Sequence, residues 1–383
     1  MSSPIYLDYN ATTPVAPEVA AAIRPWLEQH FGNPSSSHVY GQQARQAVAQ
    51  ARSHVAALIG ASEEEIVFTG GATESNNLAL LGVARAYHAR GDKKRHLVIG
   101  AIEHPAVMQP ALHLRELGWE VTILPVDSAG RIAAKDLAAV LRPDTALVSV
   151  MHSNNEVGTL QPLAEIAALA RSNGTLVHTD AAQSAGKVSV NVDALGVDLL
   201  TLAFHKFYGP KGIGALYVRR GTPLKPILFG ADQEHGQRPG TENVALIVGA
   251  GETARLAHER LPAATQHLAS VRDELHRRLS GAVPGLMLNG HPEHRLPNTL
   301  HVSFPGVSGR ELLAAVANEI AASVGSACHS EADAVSGVLA AMACDAARAR
   351  GAVRLSVGLV TSEQDVVNAS AALADAWNKL AIR

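Results

Sequence analysis

The stretch LLTLAFHKFYGPKGIGALYV, residues 199–218, consists of two apolar segments joined by a turn rich in Gly and Pro. Each segment has the length and composition of a buried β-strand, and the first ends at His205, directly before Lys206. Ligands of open α/β sheets bind outside the carboxyl ends of the strands, so Lys206 is placed for chemistry. The alternative for Lys206 is a strand-end lysine that extends into solvent, and Lys211, in the turn GPKG, is interpreted as part of a solvated loop.

Further apolar segments alternate with helical patterns along the first two thirds of the chain. The strand candidates are residues 96–101, 120–126, 146–152, 175–181, 199–205 and 214–220. Such alternation predicts the α/β class, with a large domain in which helices flank a mostly parallel sheet. After about residue 250, long helical segments followed by the strand candidates NTLHVSF and AVRLSVG predict a smaller α+β C-terminal domain.

The change of pattern divides the chain into three parts. We expect residues 1–15 to form an N-terminal arm that joins the small domain, residues 16–257 to form the large domain, and residues 258–383 to form the small domain. A helix is expected to carry the chain across the boundary near residue 257.

Composition and charge exclude several classes of function. The 383 residues are 47% hydrophobic, enough for a sizeable core, and carry a formal charge of -3 without a long run of Lys or Arg. Nucleic acids and acidic membrane surfaces are therefore not expected as partners. The N-terminus lacks signal-peptide features and no stretch approaches about 18 apolar residues, which predicts a cytoplasmic protein. The two cysteines, Cys328 and Cys344, predict neither a disulfide framework nor a metal site.

A carboxylate accompanies the strand-end lysine. In TLVHTDAAQSAGK, Asp180 occupies the end of another predicted strand, near the edge of the sheet where Lys206 is expected. A Schiff-base lysine and an acidic partner for the protonated pyridine nitrogen are the usual contributions of a protein to pyridoxal phosphate. The pair Lys206 and Asp180 therefore indicates this cofactor.

The segment VFTGGATESNNLALLGVARA, residues 67–86, is suited to a phosphate group. It predicts a strand, a turn at Gly70 and Gly71, and a helix that begins near Thr73, so that free backbone N–H groups face one anion. An ordinary capping box at Thr73 is the alternative. Nucleotide motifs are not matched, because GxG in the turn GPKGIGALY is followed by Tyr217, and no P-loop pattern occurs.

Nine motifs occur in order along nearly the whole chain: YLDYNATTP, GGATESNN, EHPAV, NNEVGTLQP, HTDAAQSAGK, HKFYGPKGIGALYVRRG, RPGTENV, GSACHS and AVRLSVG. Together they resemble the pyridoxal-phosphate-dependent cysteine desulfurases and their selenocysteine lyase relatives, which are of the class V aminotransferase type and fold type I. The resemblance implies a homodimer in which Lys206 holds the cofactor covalently and Asp180 faces the pyridine nitrogen. It also implies that His104 lies against the ring and takes part in catalysis.

The resemblance assigns further residues to the cofactor and the substrate. It implies that Gln183 contacts the ring hydroxyl of the cofactor and that Asn155 also contacts the cofactor. The phosphate would be bound by Ala72, Thr73 and His205, together with Thr241 of the other subunit. Asn155 and Arg354 would contact the substrate. On chemistry alone, Arg354 could clamp a carboxylate bidentately or extend to the surface. His104 could equally be a core histidine, and Asn154 with Asn155 could form a polar turn.

Cys328, in ASVGSACHSEADAVSG, is the candidate nucleophile. A thiol among small and polar residues is expected to be exposed, whereas Cys344, in VLAAMACDAA, is expected to be buried and inert. The implied reaction converts L-cysteine to L-alanine and leaves a persulfide on Cys328, from which an acceptor or scaffold protein takes the sulfur.

Three alternatives remain open at the level of sequence. The segments ASVGSACHS and RPGTENV are closer to the selenocysteine lyases, for which the substrate would be L-selenocysteine. An aminotransferase would share the fold and the cofactor without needing a reactive cysteine. A non-catalytic scaffold would be expected to lack Lys206 or Asp180, and both are present. Ala203 also departs from the resemblance, because the family commonly has a serine there.

Overall fold

The computed structural model describes residues 3–325 and 336–382, so the predicted nucleophile Cys328 lies outside the described residues. The strands are β1 Ile5–Tyr6, β2 Ile66–Thr69, β3 His96–Gly100, β4 Glu120–Leu124, β5 Thr145–Ser149, β6 Leu176–Asp180, β7 Leu199–Ala203, β8 Gly214–Val218, β9 Met287–Asn289, β10 Thr299–Ser303, β11 Ile320–Ala321 and β12 Ala352–Ser356. The α-helices are α1 Pro17–Glu28, α2 Val39–Ile59, α3 Ala72–Ala89, α4 Pro105–Glu116, α5 Ala134–Val140, α6 Leu163–Ser172, α7 Val192–Leu195, α8 Val244–Ala282, α9 Gly309–Ala315, α10 Gly337–Ala341, α11 Ala346–Arg350 and α12 Glu363–Ala381. In these two ranges, none of the helices has both the length and the apolar character needed to cross a membrane.

The large sheet has seven strands in the order β2-β8-β7-β6-β5-β3-β4. The pairs from β4 to β7 are parallel, and β8 runs antiparallel to both of its neighbours. Because alternate residues of a strand face opposite sides, Leu147 and Val148 of β5 enter two different hydrophobic cores. Helices α2, α6 and α8 contribute to one core, and α3 and α4 to the other. The predicted α/β class with a mostly parallel sheet flanked by helices is confirmed.

A second sheet has the order β12-β10-β9 and is antiparallel throughout. Its core includes residues from α12 and from the C-terminal half of α8, such as Leu268 and Leu275. The two helical segments predicted after residue 250 are thus one helix of 39 residues. Since Ile247 and Ala254 of the same helix pack in the core of the large sheet, we propose that the domain boundary lies near residue 257, as predicted from the sequence.

The N-terminal segment contacts both sheets. Strand β1 pairs with β11, and Leu7 is buried in the core of the smaller sheet. A few residues later, the Thr13 N–H donates to the carbonyl oxygen of His205, at the end of β7. Asn10 therefore lies between the two parts of the molecule.

Close packing of α2 against α8 generates a prediction about stability. A Cβ atom on Gly251 of α8 would lie 2.4 Å from the Cα atom of Ala51 in α2. We expect Gly251→Ala to lower the free energy of unfolding by about 1–3 kcal/mol, because overpacking outweighs the gain of about 1 kcal/mol in helix propensity. Gly281→Ala, in the same helix, is the matched control because nothing lies within 4 Å of its added Cβ, so it should be neutral or stabilising. Denaturant unfolding followed by circular dichroism measures both, and equal midpoints for the two variants would contradict the prediction.

Candidate active site

A cleft of about 930 Å³ lies at the carboxyl ends of β6 and β7 and at the start of α3. Its lining includes Ala72, Thr73, His104, Asn155, Asp180, Gln183, His205, Lys206 and Arg354. The structure thus places together the predicted site residues that it describes, except Thr241, while Cys328 lies outside the described residues. Thr241 lies in an exposed segment before α8 and does not line this cleft.

Lys206 is positioned by a 3₁₀ turn, Phe204–Lys206, that directly follows β7. Its Nζ donates hydrogen bonds of 2.8 Å to the carbonyl oxygens of Asn10 and Ala11. The amine of the strand-end lysine is therefore held by the N-terminal segment. Sequence reasoning missed these two carbonyls, because backbone groups leave no trace in residue type.

Asp180, the last residue of β6, presents a buried carboxylate to the cleft. One oxygen accepts from Asn76 Nδ2 at 2.7 Å and the other from the Ala182 N–H at 2.9 Å. An ionised carboxylate is purely an acceptor, so its remaining lone pairs suit a protonated ring nitrogen. Asn76 was not predicted as a site residue, although it lies in the same motif, GGATESNN, as the proposed phosphate site.

The first turn of α3 is where the sequence predicts a phosphate to bind. The helix begins after Gly71, which has φ of 148° and makes no side-chain cap, so the capping-box alternative for this segment is wrong. Glu74 accepts from the Gly70 N–H and Thr69 Oγ1 accepts from the Gly71 N–H at 3.4 Å, so the N–H groups at the start of the helix itself, from Ala72 onward, are the candidates for binding an anion. A Cβ on Gly214 would lie 2.6 Å from the backbone carbon of Gly71, so this glycine allows the turn to approach β8.

The two histidines of the cleft are held neutral by burial. His104 is the N-cap of α4, and its Nδ1 accepts from the Ala106 N–H at 3.1 Å, which places the proton of the neutral ring on Nε2. Burial lowers the pKa of His104, Asp180 opposes this effect, and Lys206 adds to it. Burial, followed by Lys206 and two further lysines, lowers the pKa of His205 to about 4. Both rings are therefore uncharged at neutral pH.

Arg354, in β12, is buried with 4% of its surface exposed, so the alternative that it extends to the surface is wrong. Its Nη2 lies 2.7 Å from an oxygen of Asp8, and its Nη1 donates to the carbonyl oxygen of Asn155 at 3.0 Å. Nε is buried and has no hydrogen-bond partner. Asn154, by contrast, is used structurally, because its oxygen accepts from two backbone N–H groups of its own turn. Asp8 is a further residue that sequence reasoning missed.

Cys344, the second cysteine, differs from its prediction. It is half-buried rather than buried, at the edge of a small core that includes Ile102 and Met342. Burial still raises the pKa of its thiol, which disfavours the thiolate.

This set of groups fits pyridoxal phosphate. A lysine amine, a carboxylate acceptor, a neutral histidine and a helix N-terminus surround one cleft. These are the groups that a Schiff base, a protonated pyridine nitrogen, an aromatic ring and a phosphate require.

Comparisons with known proteins agree with this class of site. The family model for class-V aminotransferases matches residues 5–368. The cysteine desulfurase IscS of Dictyoglomus turgidum is 44% identical over 367 residues, which is 96% of this chain and 92% of the relative. A solved structure described as a NifS-like protein is 36% identical and has a TM-score of 0.91. The match covers 100% of this chain and 100% of that one. A structure of SspA in complex with cysteine is 37% identical with a TM-score of 0.82, covering 93% of this chain and 99% of that one.

The fold and the matched family define a pyridoxal-phosphate-dependent enzyme of fold type I. The chain belongs to the class-V aminotransferase family and, within it, to the cysteine desulfurases.

The close approach of β8 to the start of α3 predicts a selective loss of cofactor binding. We expect Gly214→Ala to raise the apparent Kd for pyridoxal phosphate at least about tenfold, because the new Cβ must displace the turn at Gly71 that forms the anion site. Absorbance titration of the cofactor-free protein measures the affinity, and circular dichroism checks that the fold is retained. Gly281→Ala serves again as the control, and an unchanged affinity in Gly214→Ala would argue against this location of the phosphate.

Proposed function

We propose that this protein removes sulfur from L-cysteine, releasing L-alanine and leaving a persulfide on Cys328 that is passed to an acceptor protein. The observation that carries the proposal is the convergence of Lys206, Asp180 and Arg354 on one cleft, in a chain whose relatives are cysteine desulfurases. The complex of SspA with cysteine supports the same substrate, because that protein is similar over nearly its whole length.

Pyridoxal phosphate, when bound, supplies an electron sink that labilises the bonds at the α-carbon of the substrate. In the proposal, Lys206 is the point of covalent attachment and moves the proton of that carbon. Asp180 holds a proton at the pyridine nitrogen, and His104, which is neutral, lies against the ring. Ala72, Thr73 and His205 bind the phosphate, with the backbone of α3 as the main donor.

Arg354 is the proposed anchor of the substrate carboxylate. Its guanidinium is already oriented by Asp8 and by the carbonyl oxygen of Asn155, so little side-chain freedom is lost when a second carboxylate binds. The buried Nε, which has no partner, supports the same role, since a buried donor gains from a new acceptor. The side chain of Asn155 lines the cleft beside it and is proposed to contact both substrate and cofactor.

Cys328 is the proposed acceptor of the sulfur atom. Its thiolate forms a bond to the substrate sulfur while the Cβ–S bond of the substrate breaks. The electron pair of the broken bond stays with the substrate carbon, which takes up a proton and leaves as part of L-alanine. Because the bond to Cys328 forms as the Cβ–S bond breaks, the transfer of sulfur needs no external oxidant.

The assembly and the location of the protein are part of the proposal. We propose a homodimer in which Thr241 of each subunit completes the phosphate site of the other, which is consistent with its position outside the cleft of its own chain. A scaffold or acceptor protein would receive the persulfide sulfur, and a cytoplasmic location stays a prediction from the sequence.

The attachment point can be tested with the two lysines of the stretch 199–218. Lys206→Ala should lose the visible absorption of bound pyridoxal phosphate and the covalent adduct that borohydride traps, because no other amine is expected to replace it. Lys211→Ala, a lysine of the same stretch that is exposed at the cleft, should retain both signals. Absorbance and mass spectrometry after reduction provide the measurement, and an intact adduct in Lys206→Ala would place the attachment elsewhere.

The two cysteines provide the second test. Cys328→Ser should bind pyridoxal phosphate and change its spectrum with L-cysteine, but alanine production should fall at least about a hundredfold because the sulfur has no acceptor. Cys344→Ser is the matched control and should retain turnover, since the raised pKa of its half-buried thiol makes it a poor nucleophile. The rate of alanine formation is the measurement.

L-selenocysteine separates the remaining alternatives in the same variants. Selenium is the better leaving group, so activity of Cys328→Ser on L-selenocysteine alone would favour a selenocysteine lyase. Full activity on both substrates would contradict the persulfide step.

A further inference from the structure

The side chain of Gln183 is held at both ends of its amide. Nε2 donates to the carbonyl oxygen of Asn10 at 2.9 Å, and Oε1 accepts from Lys187 Nζ at 3.1 Å. A carbonyl can only accept, and a lysine ammonium can only donate, so these two neighbours permit one orientation of the amide. One hydrogen of Nε2 is used by Asn10, which leaves the second for an acceptor in the cleft that Gln183 lines.

Lys187 is itself fixed in place. It follows Gln183 by four residues in a run of turns after β6, where its N–H donates to the Ser184 carbonyl oxygen and its own carbonyl accepts from Thr265 of α8 at 2.7 Å. The residue before it, Gly186, has φ of 72°, and a Cβ there would lie 2.8 Å from Phe207. The lysine therefore has a fixed backbone, and only 5% of the residue's surface is exposed.

We propose that Lys187 is a positioning residue, which holds the Gln183 amide so that its second Nε2 hydrogen donates to the ring oxygen of bound pyridoxal phosphate. The inference rests on the proposed function of the cleft and on the assignment of Gln183 to that oxygen. A buried lysine is costly unless it satisfies a specific partner, and the Oε1 atom of Gln183 is the partner that this structure provides.

The proposed role does not depend on the charge of Lys187. Burial, together with the nearby cations Lys206 and Arg354, lowers the pKa of Lys187 to about 7. Both the ammonium and the neutral amine carry N–H donors, so either form can hold Oε1. If Lys187 acts by positioning Gln183, replacing Lys187 should have no effect once Gln183 is removed. If Lys187 acts as a nearby charge, the effect should persist without Gln183.

The test uses the full-length protein loaded with pyridoxal phosphate and follows its visible absorption band against pH. The pH midpoint of this band reports the proton shared between the ring oxygen and the lysine-bound nitrogen. In Lys187→Met the Gln183 donor is no longer aligned with the negatively charged ring oxygen, so that oxygen holds the proton more tightly. We expect the midpoint to rise by about one pH unit, the effect of losing one hydrogen bond to a charged group.

A double-mutant cycle separates positioning from charge. Gln183→Ala alone should raise the midpoint by a similar amount, and adding Lys187→Met to Gln183→Ala should produce no further rise. An equal shift in both backgrounds would show that Lys187 acts as a charge and would overturn the proposal. So would an unchanged midpoint in either Lys187→Met or Gln183→Ala.

Two controls complete the experiment. Lys135→Met removes an exposed lysine of α5 and should leave the midpoint unchanged. If Lys187→Met fails to take up the cofactor, Lys187→Gln, which keeps an N–H donor but carries no charge, replaces it: a rise smaller than that of Gln183→Ala supports positioning, and an equal rise with and without Gln183→Ala would overturn the proposal. If the unmodified protein forms no adduct at Lys206, the proposed function itself fails, which is distinguishable from failure of the role of Lys187.

Discussion

The carbonyl oxygen of Asn10 is the acceptor on which the arrangement of the site depends. It receives hydrogen bonds from Lys206 Nζ and from Gln183 Nε2, two donors on different segments of the large sheet. The side chain of the same residue donates to the carbonyl of Asn155 and to Thr299, and it accepts from Asn298. Because Asn10 is 99% buried, with 1% of its surface exposed, each lost partner would leave an unsatisfied polar group. One residue of the N-terminal segment thus sets the position of Lys206, the proposed attachment lysine, relative to the smaller sheet.

Buried charge is the second constraint on the cleft. Lys206 and Arg354 lie close enough to Lys187 to lower its pKa, Asp8 pairs with Arg354, and the carboxylates of Asp180 and Glu74 line the same cleft. Holding several cations in a partly desolvated cleft is unfavourable for folding, and a ligand that carries negative charge would offset part of this cost. A phosphate near α3 and a carboxylate near Arg354 would together supply that charge. Burial, to which the nearby lysines add, lowers the pKa of His104 and of His205, so both rings are neutral donors or acceptors rather than further cations.

Local patterns in the sequence predicted the large sheet because each of its strands is a short apolar segment bounded by turn residues. Lys206 and Asp180 were predictable for the same reason, because Asp180 ends such a segment and Lys206 lies in the turn that directly follows one. Asp8, Asn10 and Lys187 were not predicted as site residues, because their contacts join distant parts of the chain or depend on a fixed turn. Arg354 and Asp8 are separated by 346 positions. A helix across residue 257 was expected, but its continuation through Pro262 to Ala282 as one helix was not, because a proline usually ends or kinks a helical pattern.

The two anion sites proposed for the cleft lie on different sheets, and this bears on specificity. The proposed phosphate site lies at α3 and β8 of the large sheet, whereas Arg354 belongs to β12 of the smaller one. Asp8 and Asn155 both contact the guanidinium, and Asn155 also accepts from Asn10, whose carbonyl oxygen accepts from Lys206. A ligand that engages both sites must therefore span the two sheets. An amino acid joined to a phosphorylated ring meets that requirement, because its carboxylate and its phosphate are carried by one covalent framework.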